Sequence, residues 1–213
     1  MAHPLAGMLD AAAHGRFPDP DGRVEVVGVP PDGSSVLACF TARTVVALDV
    51  DPSDVARRVL PHDLSASMAP VFVRWLEDET GLHALNQDAV LATIATGGEP
   101  SPVLEPLDAY AHPRVDRASL HRVDVRVFAT PDRDGVVVLG RGVTRRWEVA
   151  FEVDEDARGR GTGRGLLQAA RTLLPAGTPM WMQVAPGNAR SLRAATAAGF
   201  RSIGSEILFV PRP

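Results

Sequence analysis

The stretch DEDARGRGTGRGLLQAARTLL occupies residues 154–174, and its reading decides how the rest of the chain is understood. Residues 158–165 hold three arginines and four glycines. An apolar repeat follows at once, at Leu166, Ala169, Ala170, Leu173 and Leu174. That spacing predicts a helix with Arg164, Gln168 and Arg171 on its opposite face. The residues just before, RWEVAFEV at 146–153, read as a strand. The glycine-rich turn therefore sits at a helix N-terminus. The first four amides there lack intrahelical partners, and the helix dipole is positive. Glycine lets the backbone adopt positive φ and approach a ligand closely. Such a turn either punctuates the chain or holds an anion.

Two nucleotide motifs are excluded by spacing and composition. A dinucleotide G-x-G-x-x-G fails, because counting from Gly159 ends on Arg164 and counting from Gly161 ends on Leu166. No acid follows about 20 residues on to take a ribose hydroxyl, since 157–205 contains seven arginines and no Asp or Glu. A P-loop needs lysine, and all 22 basic residues of this chain are arginine. What fits is R-x-x-G-x-G, written here as Arg158-Gly159-Arg160-Gly161-Thr162-Gly163. Downstream, Asn188-Ala-Arg-Ser191-Leu192 opens a helix that closes at Gly199-Phe200.

Loop, Asn188 helix and Gly-Phe pair together resemble the GNAT acetyltransferase superfamily over roughly the last 90 residues. The resemblance implies a mixed β-sheet with crossover helices and acetyl-CoA as co-substrate. Phe151 and Val153, at the end of the strand, would then pair with the pantetheine arm. The segment Arg158, Gly159, Arg160, Gly161, Thr162, Gly163 and Arg164 would cradle the pyrophosphate, and Asn188 would touch the cofactor. Asn188 is also a favoured helix N-cap, and both roles can hold. The activity implied is N-acetyl transfer, by direct attack of an amine on the thioester. A base must take the amine's proton. Glu148 and Glu152 share one face of the strand and are the candidates. Simple alternation would instead make them a solvent-facing polar stripe, with Trp147, Val149, Phe151 and Val153 packed inward. Many relatives carry a tyrosine seven residues after the asparagine as general acid; here that position is Ala195. The only tyrosine, Tyr110, reads as structural. The rival readings are a non-catalytic acyl-CoA-binding regulatory module and an anion-binding protein without coenzyme A specificity.

The remaining sequence frames this site. Residues 1–84 carry six arginines and twelve acids, net −6; the remainder carries sixteen against fourteen, net +2. The expected organisation is an N-terminal α/β extension at 1–84, possibly a degenerate half of the same fold, and a GNAT-like domain at 85–213. Helices are expected at 4–14, from 51, at 70–80 with Val71, Trp75 and Leu76 on one face, at 113–121 and at 188–198. Strands are expected at 24–29, 35–41, 44–49, 88–96, 123–130, 136–141, 146–153, 179–184 and 203–210, and a Gly/Pro-rich loop at 97–106. The lone Cys39, in VLACF, reads as a small core residue in a reducing compartment. The start MAHPLAGML lacks the features of a secretory signal, and no apolar run reaches the roughly 18 residues of a membrane span. A cytoplasmic protein is expected, acting on a small-molecule or peptide amine, with no nucleic acid or membrane partner. The six histidines show no metal-ligand spacing, so no metal site is expected. His121, just before a strand, is either a base or an ordinary surface histidine.

Overall fold

The computed structural model describes residues 3–59, 63, 66–108 and 111–212. It is a mixed α/β protein that divides into two compact units, Met1–Ala89 with Ile203–Pro213, and Val90–Ser202. The expected boundary lay at 84/85 and kept 203–213 with the second domain. The observed division falls at 89/90, and the last strand joins the first unit because it pairs there with a strand of that unit.

In the first unit, helix α1 (Pro4–Ala13) precedes strands β1 (Val24–Val26), β2 (Ser35–Phe40) and β3 (Arg43–Ala47). The tight β2–β3 turn carries Ala42 at a φ of 51°, and the two strands pair antiparallel from Phe40↔Arg43 to Val36↔Ala47. Strand β1 lies parallel to β3. Helix α2 (Pro52–Arg58) starts where expected: Asp51 accepts a hydrogen bond from the Ser53 amide and Pro52 stands in the first turn. Helix α3 (Pro70–Thr80) ends at Gly81, whose φ of 69° is the left-handed stop. Strand β4 (Leu82–Ile94) follows directly, its residues from Val90 on belonging to the second unit. Strand β10 (Arg201–Pro211) pairs antiparallel with β2. The core joins Leu37, Val46 and Leu48 to Val55, Phe72 and Leu76 of the helices and to Ile207 and Phe209 of β10. Of the expected face of α3, Leu76 is buried and Trp75 packs partly buried against the core, but Val71 is 80% exposed and Phe72 and Glu77 are buried instead.

In the second unit, β5 (Glu105–Leu107), β6 (Val123–Ala129), β7 (Gly135–Arg141) and β8 (Trp147–Val153) form an antiparallel run. Strand β9 (Pro179–Val184) lies parallel to β8 on the other side. The strand β5 lies at the end of what the sequence reads as loop; its EPL hardly resembles a strand, and pairing with β6 holds it extended. Helix α4 (Pro113–Ser119) packs on β6, β7 and β8. Helix α5 (Thr162–Ala170) packs on β7 and β8 and against helix α6 (Ala189–Ala197). Register tells the faces apart. Val136 and Val138 pack with Ala118 of α4 and pair with Glu152 and Ala150. Gly135 lies under Leu166 of α5, and Gly163 of α5 lies against Phe151. Residues on alternate positions of β8 therefore face α4 and α5 in turn.

Candidate functional site

The glycine-rich turn is held at both ends by side chains of its own sequence. Arg158 donates from Nε to the Val153 carbonyl at 3.0 Å, and Thr162 donates from Oγ1 to the Ala157 carbonyl at 2.9 Å. Gly159 and Gly161 sit at φ of 81° and 86°, with no atom close to where a Cβ would stand. Gly161 is the N-cap of α5 and no side chain caps it. The amides of Thr162, Gly163 and Arg164 thus begin the helix without an i−4 carbonyl, at its positive end. Gly163 serves a different need: a Cβ there would stand 2.9 Å from the Phe151 ring. Arg160 and Arg164 are exposed, as are Arg190 and Arg193 on α6.

Strands β8 and β9 pair at Trp147↔Met180 and Glu148↔Trp181, at the beginning of both. Past those rungs no ladder joins them among the described residues, although β8 continues to Val153 and β9 to Val184. The edge of β8 that includes Phe151 therefore keeps backbone groups available for an extended, amide-bearing ligand, and it leads straight into the glycine-rich turn.

The two candidate carboxylates occupy different surroundings. Glu148 is 3% exposed, and both its oxygens are engaged. Arg122 donates from Nε to Oε2 at 2.9 Å, and Arg146 donates from Nε to Oε1 at 2.8 Å. Burial alone would raise the Glu148 pKa, but the two guanidiniums outweigh it and hold the carboxyl below its ordinary value. Arg122 also donates from Nη2 to Gln183 Oε1 at 3.1 Å, so one guanidinium spans β8 and β9 where their ladder stops. Gly140 of β7 and Gly142, just after that strand, clear the space. A Cβ on Gly140 would stand 2.9 Å from the Arg122 Cβ, and one on Gly142 would clash with the Glu148 carboxyl. Glu152 is half-buried and accepts from Arg114 Nε at 3.2 Å. Alternation does put both glutamates on one face, as expected, but that face is not solvent: α4 and the residues after it cover it. Arg122, Arg146 and Gln183 were missed by sequence reasoning. The signal that could have found them is LGRG at 139–142, since glycines inside a strand mark close approach.

The other expected residues fall as follows. Asn188 caps α6, its Oδ1 accepting from the Ser191 amide at 3.0 Å, and it is exposed. Ala195 is fully buried, so that position of α6 faces packed interior. Arg171, expected on the face opposite the apolar one, donates to the Ile94 and Ala198 carbonyls. The helix ends at Ala170, short of Leu174, because the amides of Thr172 and Leu173 bond three residues back. Cys39 lies beside the hydroxyls of Thr44 and Ser67, and burial pushes its thiol up. His121 is held below the ordinary histidine range by burial and by Arg122 and Arg117. Tyr110 and His62 lie outside the described residues. Among the described residues no three His, Cys, Asp or Glu gather as a metal-binding group, and no helix is long and apolar enough to cross a membrane.

No protein-family model matches the chain, and no curated protein does. Among solved structures the chain is similar to a GNAT-family structure from Novosphingobium aromaticivorans, at 18% identity and a TM-score of 0.42, over 62% of this chain and 69% of that one. It is similar to an acetyltransferase from the GNAT family of Colwellia psychrerythraea, at 11% identity and a TM-score of 0.38, over 66% and 62%. A GCN5-related N-acetyltransferase from Kribbella flavida matches at 13% identity and a TM-score of 0.38, over 66% and 64%. All three of these structures are of GNAT proteins. The chain spans a little under two thirds of the length of the second and third.

Proposed function

We propose that this protein binds an acyl-coenzyme A, most simply acetyl-CoA, and transfers its acyl group to an amine. The observation that carries the reading is the continuity of one surface. The unpaired edge of β8 ends in a turn with two left-handed glycines, and that turn opens directly onto the uncapped N-terminus of α5. The amides of 160–164 suit a pyrophosphate, and the exposed Arg160, Arg164, Arg190 and Arg193 suit the remaining phosphate charge. The Arg158 side chain acts here by tying the turn to the Val153 carbonyl rather than as a free cation. The donor set therefore fits the group.

The bound thioester would supply the acyl carbon and a thiolate leaving group. The chain's own task is to orient the β8 edge and to accept the proton of the attacking amine. Glu148 is poorly suited to that task, because both oxygens already accept from guanidiniums that keep it ionised. It instead fixes Arg122 across β8 and β9. Glu152 shares its face, is half-exposed and has a single arginine partner through one oxygen, so proton acceptance is assigned to it, directly or through water.

The test is release of free thiol from acetyl-CoA across a panel of small amines, amino acids and peptides. Turnover with at least one acceptor, lowered about 100-fold in kcat by Glu152→Gln with KM for acetyl-CoA unchanged, is the expected result. Tight cofactor binding without thiol release on any acceptor would instead establish a non-catalytic acyl-CoA-binding module. The buried Ala195 and the locked Glu148 are the observations that favour that second reading.

A further inference from the structure

A second candidate site lies wholly within the first unit. Glu77, in the last turn of α3, is a buried carboxylate, and its Oε1 accepts from the Ala84 amide at 2.9 Å. His83 Nδ1 lies 2.9 Å from the same oxygen, and Arg74 Nη1 reaches Oε2 at 3.3 Å. The Ala84 amide and His83 hold the carboxyl below its ordinary value, so Glu77 is an acceptor only. In its neutral form the His83 ring donates from Nδ1 to Glu77 and presents Nε2 as an acceptor. His83 is half-exposed, and together with Arg74, Glu77 and Arg212 it lines a cavity of about 390 Å³.

Arg212 is held against this cavity mostly by neutral acceptors. It donates from Nη2 to the Glu77 carbonyl at 3.2 Å and from Nε to the Leu82 carbonyl at 3.4 Å. Its nearest carboxylate contact, Asp78, is 3.7 Å away and largely exposed. The lining therefore combines two guanidiniums, one carboxylate and one imidazole, with the Asp78 carboxylate beside Arg212. Such a set offers an anion two planar donor forks and offers a neighbouring hydroxyl or amine one acceptor. We propose that this cavity binds a small organic acid carrying a hydrogen-bond donor beside its acid group, of the hydroxy-acid or amino-acid class. The acid group lies between Arg74 and Arg212, and the donor bonds Nε2 of His83. The site is independent of the coenzyme A surface, and its failure would leave that reading untouched.

The experiment follows the histidine ring signals of the full chain by NMR. The protein is titrated with glycolate, acetate and inorganic phosphate at constant ionic strength, and the His83 signals are assigned by difference from His83→Asn. That variant keeps a side-chain donor to Glu77 and lacks Nε2. Glycolate is expected to shift the His83 signals saturably and to bind about tenfold more tightly than acetate. His83→Asn should erase that difference, and Arg212→Gln should weaken both organic acids about tenfold with the melting transition retained. The absence of a saturable shift with any probe overturns the site. Affinities unchanged in Arg212→Gln do the same, and binding of phosphate alone overturns the organic-acid assignment.

Discussion

Gly142 and Glu148 set the tolerance of the site at the level of single atoms. A methyl group at Gly142 would clash with the Glu148 carboxyl, which Arg122 and Arg146 hold in place. Gly142→Ala must therefore displace a buried, doubly bonded charge, and a loss of about 3 kcal/mol is expected in urea unfolding. Glu148→Gln tests the same network through pH. The folded pKa of Glu148 is lowered, so its contribution to stability is fully present above the unfolded glutamate value of about 4.3. It is lost as pH falls through that value toward the lower folded one. The variant is expected to be less stable than wild type at neutral pH, with the gap closing in acid. A gap that stays constant down the acid limb would contradict the assignment.

At the scale of elements, the loop between β8 and α5 depends on backbone conformation rather than on room. Nothing stands near the would-be Cβ of Gly161, but its φ of 86° penalises any branched residue. Gly161→Val should then reorient the α5 amides and weaken acetyl-CoA binding at least tenfold by calorimetry, while the β8–α5 packing survives. The elements themselves were largely legible. Strand β9 and helix α3 fall where the sequence placed them, because Pro70, Gly81 and a clean apolar run mark their ends. The face of α3 was not, since Phe72 and Val71 are adjacent apolar residues and only packing against β2, β3 and β10 selects between them. Nor was the partnering of Glu148 and Glu152. Arginines that stand 26 and 38 residues before them reach them through α4 and the start of β6, a contact that periodicity within β8 does not encode.

At the scale of the molecule, the two units have different electrostatic characters. The first 84 residues are net acidic, and the acid-free run of seven arginines lies in 157–205. That asymmetry was readable from the sequence, as was the order of elements from β6 through β9 and α6. The place of β10 was not, because which strand a terminal strand pairs with depends on long-range contacts, here with β2. An anion site built only from positive charge would accept any polyanion, whereas the β8 edge adds backbone partners that only an amide-bearing arm can use. The decisive measurement is the thermal unfolding of the intact chain with equal concentrations of coenzyme A, ATP and sulfate. Coenzyme A should raise the melting temperature well beyond the other two, because the β8 edge and the α5 terminus act together on one ligand. Equal stabilisation by all three would reduce the site to a general anion pocket and contradict the account.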